Sequence, residues 1–165
     1  MDVVIRSATP GDATAICGFW NPMIRDTAVT FNPVEKSAEE VAAMITARQD
    51  NGHGFMVAEV AGTILGFATY SQFRDGAGYA TCMEHTVILA PVGQGRGIGR
   101  ALMAAVEDHA RHGGAHQMIA GISGENPEGQ AFHAACGYAQ IARITEAGFK
   151  FGRNMDLVVM RKFLA

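Results

Sequence analysis

Apolar positions along this chain recur with two periods, and the switches between them mark its elements. Val3-Val4-Ile5 is a short strand-type run that ends at Ser7-Ala8-Thr9-Pro10-Gly11-Asp12, with Asp12 placed to cap a helix through about Arg25. Asp26 to Val34 reads as a loop carrying Phe31. Ser37-x-x-Glu40 is a capping box before Val41, Met44 and Ile45, so a second helix runs to about Gln49 and stops at Asn51-Gly52. Phe55 to Val60 and Ile64 to Phe73 flank Ala61-Gly62-Thr63, the pattern of an antiparallel hairpin. A glycine-rich loop, Arg74-Asp75-Gly76-Ala77-Gly78, precedes a strand from Thr81 to Leu89. Ile98, Leu102 and Val106 then recur every four residues, which predicts an amphipathic helix ended by Gly113-Gly114. Gln117 to Ile122 is a short strand, and Asn126-Pro127-Glu128 opens a helix that closes at Cys136-Gly137. Ile141 to Ile144 and Leu157 to Phe163 read as closing strands joined by Glu146 to Arg153. The order β-α-α-β-β-β-α-β-α-β-β predicts one α/β domain over residues 1–165, with a mixed, largely antiparallel sheet flanked by helices.

The segment between the strand ending at Leu89 and the following helix carries the most chemistry. It reads Gly93-Gln94-Gly95-Arg96-Gly97-Ile98-Gly99-Arg100. Glycines at 95, 97 and 99 let backbone N–H groups approach an anion and allow positive φ, and a helix N-terminus adds about half a positive charge. A dinucleotide fingerprint counted from Gly95 or Gly97 needs glycine where Arg100 or Leu102 stands, and a Walker loop needs a Gly-Lys-Ser/Thr triplet that the chain lacks.

Composition narrows the classes. The chain has 165 residues, 48% hydrophobic and 18% charged, with a formal net charge of -3. That fits a compact domain and gives no reason to expect nucleic acid, since no basic run occurs. The N-terminus lacks a signal-type apolar core and no stretch reaches roughly 18 apolar residues, so no membrane span and a cytoplasmic location are expected. Cys17, Cys82 and Cys136 are odd in number and widely spaced, which argues against disulfides and a Cys-x-x-Cys zinc site. His109-x-x-His112 has no third ligand at a suitable spacing, and no metal is assigned.

Gln94-x-x-Gly97-x-Gly99 after a strand and before a helix resembles the acetyl-CoA pyrophosphate loop of the GNAT superfamily of N-acetyltransferases, and the element order resembles the whole GNAT fold. Met83-Glu84-His85-Thr86-Val87, Asn126, His133 and Lys150-Phe151-Gly152-Arg153 are similar to the branch that acetylates phosphinothricin, methionine sulfoximine or L-amino acids. The resemblance implies acetyl-CoA as co-substrate, with the pyrophosphate held by Gln94, Gly95, Arg96, Gly97, Ile98, Gly99 and Arg100. It also implies that Val87, Ile88 and Leu89 offer backbone groups to pantetheine where two strands splay apart. Asn126 matches a cofactor-contacting asparagine, although N-capping alone also accounts for it.

A substrate ammonium must lose a proton before it can attack a thioester. Glu84 is a carboxylate among apolar or small strand residues, where the branch has its base, and is the candidate. His133 stands where many members have a tyrosine and is the candidate acid for the leaving thiolate. Substrate contacts implied by the branch are Arg74 after Phe73, the neighbouring Asp75 and Gly76, and His85 and Thr86 beside Glu84, with Phe31 closing the pocket. Asp75 and Gly76 depart from the branch, which often has proline and an aromatic residue there. The branch further implies direct transfer to a small amine in a ternary complex, and a homodimer. A CoA-binding regulatory module without turnover, and an acetyltransferase of peptide N-termini or polyamines, remain the alternatives.

Overall fold

The computed structural model describes residues 2–165 and bears out the expected order. It runs β1 (Val3–Ser7), α1 (Ala13–Asp26), α2 (Ala38–Asp50), β2 (Phe55–Val60), β3 (Thr63–Gln72), β4 (Cys82–Leu89), α3 (Ile98–His112), β5 (Gln117–Ser123), α4 (Pro127–Ala135), β6 (Ala139–Lys150) and β7 (Arg153–Phe163). The seven strands form one sheet in the order β1-β2-β3-β4-β5-β7-β6.

Side-chain alternation assigns the helices to faces. Phe67 packs on Trp20 of α1, with ring centroids 4.9 Å apart. Tyr70, three residues on, points the other way and meets His109 of α3. Tyr70 pairs with His85 in register, and His85 meets His133 of α4. α1 and α2 therefore cover one face, α3 and α4 the other, and the core fills both layers. The predicted stripe of α3 is fully buried at Ile98, Leu102 and Val106. α1 continues through Pro22, whose missing N–H leaves the Gly18 carbonyl without its helical donor.

All neighbouring strands are antiparallel except β4 and β5. That parallel pairing holds only from Cys82–Gln117 to Glu84–Ile119. Beyond Glu84 the two strands diverge, so β4 from His85 to Leu89 keeps its β3 partner but none on the other side. The sheet is thus forked in the middle, with Glu84 as the last rung.

The closing hairpin is longer than the sequence pattern predicts. The segment expected to link Ile144 to Leu157 is mostly strand, and the turn is only Phe151-Gly152, with φ 55° and 73°. A two-residue turn with both φ positive matches the twist of paired strands. A register shift between Ile144 and Gly148, with Glu146 at φ 58°, breaks the alternation that would otherwise have revealed β6.

Candidate active site

Two cavities open along the fork. One, of about 420 Å³, is lined by α1, α2, the loop after α1, β4 from His85 to Ile88 and β5 from Ala120 to Ser123. The second, of about 920 Å³, runs from α1 past Val87, Ile88 and Leu89 to Gln94, Gly95 and the start of α4. Val29, Val87, Ile88, Asn126 and His133 line both, so the cavities meet at the fork.

The glycines of the loop before α3 have separable roles. Gly95 and Gly97 adopt φ of 71° and 77°, and a Cβ on either would meet no protein atom, so the backbone there faces open space. A Cβ on Gly99 would lie 3.1 Å from the Phe132 ring, so Gly99 lets α3 and α4 approach. Ile98 is fully buried and can offer a ligand only its backbone. Arg96 and Arg100 are exposed. The left-handed Gly95 and Gly97, the N-terminus of α3 and the unpaired edge of β4 suit an anionic group joined to an amide-bearing arm.

Glu84 is half-buried, with Oε2 only 3.2 Å from where a Cβ on Gly121 would stand. Gly121 lines the smaller cavity, and the absence of a side chain there leaves room for the carboxylate against it. Burial pushes Glu84 above the ordinary carboxylate range, opposed by the positive charge of Arg48. A carboxylate poised upward in this way is suited to take a proton from an ammonium. Cys82 is a poorer group for covalent chemistry, since burial and the Glu84 charge both hold its thiol protonated.

His133 Nδ1 donates to the Gly129 carbonyl at 2.7 Å, and its Nε2 lies 2.9 Å from His85 Nε2. Both rings are buried. Desolvation lowers both imidazoles, His85 to about 3, where the neighbouring His133 also lowers it and the Ile119 backbone opposes. Asn126 Oδ1 accepts from Gly129 N at 3.0 Å and so caps α4, while the residue also lines both cavities.

The loop Thr27–Lys36 roofs the site and is tied at both ends. Lys150 Nζ donates to the carbonyls of Thr27 and Thr30 at 2.7 Å each. Asn21 brackets the Lys36 backbone, accepting from its N–H and donating to its carbonyl at 2.8 Å each. Phe31 lines the smaller cavity and rests on Gly148, where a Cβ would fall 2.4 Å from its ring.

Residues 21–138 match the Acetyltransferase (GNAT) family. The chain belongs to the GNAT acetyltransferase family. It is 33% identical over 96% of its length to an L-methionine sulfoximine/L-methionine sulfone acetyltransferase of Salmonella typhimurium, covering 93% of that protein. It is 34% identical to the L-amino acid N-acyltransferase MnaT of Escherichia coli, covering 95% of this chain and 91% of that one. The crystal structure of a GNAT superfamily phosphinothricin acetyltransferase from Sinorhizobium meliloti, in complex with acetyl-CoA, superposes with a TM-score of 0.94 at 30% identity, covering 100% of this chain and 90% of that one. This GNAT protein is an N-acetyltransferase with acetyl-CoA as co-substrate, as the sequence resemblance implied.

Of the residues singled out in the sequence, the fork brings together Phe31, Glu84, His85, Thr86, Val87, Ile88, Asn126 and His133, while Leu89, Gln94 and Gly95 continue into the larger cavity. Arg74, Asp75 and Gly76 sit in the exposed loop after β3 and line neither cavity of this chain. Arg74 instead stacks over Tyr79 at 5.7 Å. Arg48 and Lys36, which the sequence reading passed over, do line the smaller cavity. The signal for Arg48 was present. Val41, Ile45 and Arg48 fall on one face of α2, which places a cation on an otherwise core-facing stripe.

Proposed function

We propose that this enzyme acetylates the amino group of a small amino-acid-like substrate, such as an L-amino acid, methionine sulfoximine or phosphinothricin, by direct transfer in a ternary complex. The meeting of the two cavities along β4 at Val87 and Ile88, just past Glu84, carries the reading. A pantetheine arm along Val87–Leu89 brings its thioester to the junction, and an amine in the smaller cavity reaches it from the other side. Glu84 takes one proton from the ammonium directly or through water, and the amine nitrogen forms a bond to the acetyl carbon. As the C–S bond breaks, the nitrogen's second proton passes to the leaving sulfur, so that CoA departs as the thiol and the amide is neutral. The upward-shifted Cys82 thiol supports direct transfer over an acyl-cysteine intermediate.

The volume of about 420 Å³ suits a ligand of a few to a dozen heavy atoms. The names of the relatives support the same class. A second copy of the chain is proposed as partner. Ile141, Ile144, Phe149, Phe151 and Phe163 are exposed on the β6–β7 hairpin, and β6 is a free edge strand, a surface that association would cover. Ile144 is the register partner of Leu157, which lines the smaller cavity, so this face adjoins the substrate site. All three cysteines are free, in keeping with a cytoplasmic enzyme, and among the described residues no helix is long and apolar enough to cross a membrane.

Thiol release from acetyl-CoA, measured with L-amino acids, their sulfoximine and phosphinate analogues, polyamines and peptide N-termini, tests the assignment. Turnover should be highest with the free amino acids or their analogues, and initial-rate plots should intersect as a ternary complex requires. Preference for peptides or polyamines, parallel plots, or CoA binding without turnover would each overturn part of it.

A further inference from the structure

Arg48 is the one basic side chain of α2 that reaches the smaller cavity. It is half-buried, yet among the described residues no carboxylate, carbonyl or hydroxyl accepts a hydrogen bond from its guanidinium, whereas Arg6, Arg25, Arg111, Arg143 and Arg153 are all ion-paired. A guanidinium carries five N–H donors and stays charged, so withdrawing it from water without a partner is unfavourable unless a ligand completes it. The rest of the cavity leaves that place to an anion. Lys36, the other cation on its wall, lies over the Trp20 ring at 5.0 Å, and the hydroxyl of Thr69 donates to the Gly54 carbonyl. The nearby carboxylate, Glu84, is at the fork and already has the amine to receive.

Resting on the amino-acid reading above, we propose that Arg48 receives the substrate's carboxylate as a bidentate pair and, by fixing that end, turns the α-amino group toward Glu84. The two groups are joined through one carbon in an α-amino acid, so their protein partners must stand close together; Arg48 lines the smaller cavity, Glu84 Oε2 stands against Gly121 of its wall, and the two charges are near enough to act on each other. The planar fork of arginine matches the two carboxylate oxygens as no single ammonium does. A substrate with an amine but no carboxylate leaves the guanidinium bare and gains nothing from it.

The test compares an L-amino acid with its decarboxylated amine in wild type, Arg48→Ala and Arg48→Lys. Measured at a pH above the Glu84 limb, Arg48→Ala should raise KM for the amino acid by about 10- to 100-fold, the worth of a hydrogen bond to a charged group, with little change for the amine. Arg48→Lys should recover part of the loss. Acetyl-CoA affinity by calorimetry and the melting temperature should stay near wild type, which separates ligand reading from support of the fold. Arg74→Ala, changed in parallel, should leave the acid-to-amine ratio as it was. Equal losses for acid and amine in a folded Arg48→Ala protein, or a selective loss in Arg74→Ala instead, would overturn the role of Arg48. If wild type acetylates no amino acid, the amino-acid reading itself fails, which is a distinguishable result.

Discussion

His85 Nε2 and His133 Nε2 face each other at 2.9 Å inside the protein, so one imidazole must donate and the other accept. The Gly129 carbonyl accepts from His133 Nδ1, which leaves the Nε2 of a neutral His133 as the acceptor and His85 as the donor. His85 Nδ1 then carries the lone pair, next to the Ile119 backbone and without a hydrogen bond. With its one proton held on Nδ1 by Gly129, a neutral His133 has none on Nε2 to give a leaving thiolate, so proton delivery from it requires this pair to open and Nε2 to be protonated first.

The pair makes stability depend on pH. Both imidazoles are lowered by burial, so below about pH 6.5 the unfolded chain takes up protons that the native pair refuses, and stability falls with pH. Each histidine adds about 1.4 kcal/mol per pH unit to that slope until its own native pKa is reached. Urea unfolding at pH 7 and pH 5.5 should show a steeper loss for wild type than for the His85→Leu/His133→Leu double variant. Parallel slopes would mean that the pair is charged or already solvated.

Glu84→Gln should retain acetyl-CoA affinity and lower turnover by about 10²- to 10⁴-fold. A general base works deprotonated, so kcat/KM rises with pH through its pKa. Because burial raises Glu84, the rising limb in wild type should lie above the ordinary glutamate range, and it should vanish in the glutamine variant. Arg48→Ala should move the limb further up, since the opposing positive charge is gone. Wild-type turnover of Glu84→Gln from pH 6 to 9 would assign the proton to another group.

Gly97→Asp is expected to weaken acetyl-CoA binding by two to three decades, since like charges at about 4 Å repel by roughly 4 kcal/mol at an intermediate dielectric. Gly97→Asn is the control. Asparagine tolerates φ of 77°, and the space beyond the Cβ is open, so backbone and packing are kept while the charge is not added. Calorimetric titration of both variants decides whether this loop meets the pyrophosphate; equal affinities for Asp, Asn and wild type would exclude it.

Lys150→Met should free the loop over the site without dismantling the sheet. It removes both donors to the Thr27 and Thr30 carbonyls. Val29 lines both cavities, so KM should rise for amine and acetyl-CoA together. Gly148→Ala should act more narrowly, displacing Phe31 and raising KM for the amine alone. Limited proteolysis within 27–36 should quicken in Lys150→Met, and an unchanged cleavage rate would show that Asn21 alone holds the loop.

How far these features were legible in the sequence depends on the range of the interaction behind each. The phosphate loop and the capping of α4 rest on local backbone chemistry, and their residues stand side by side in the chain. Glu84 could be found because a carboxylate in an apolar strand is a local anomaly. That it is the last rung before a fork rests on where β5 ends its pairing, a long-range fact. Arg48 was hidden differently, as its helix was read only for its cap and apolar positions. Lys150 sat in a segment taken for a loop, because the register shift near Glu146 removed the period that marks a strand.

The tie between Lys150 and Thr27 also sets an order of events during synthesis. The two residues are 123 positions apart, and the lysine lies in the last hairpin. A nascent chain can lay down α1, α2 and the first strands while the roof of the smaller cavity still lacks its anchor. Only when the hairpin has emerged and closed does residue 150 arrive to fix the segment begun at residue 27. The substrate site is therefore among the last parts of the molecule to mature, and a chain cut short before β6 would hold much of the sheet but no finished pocket.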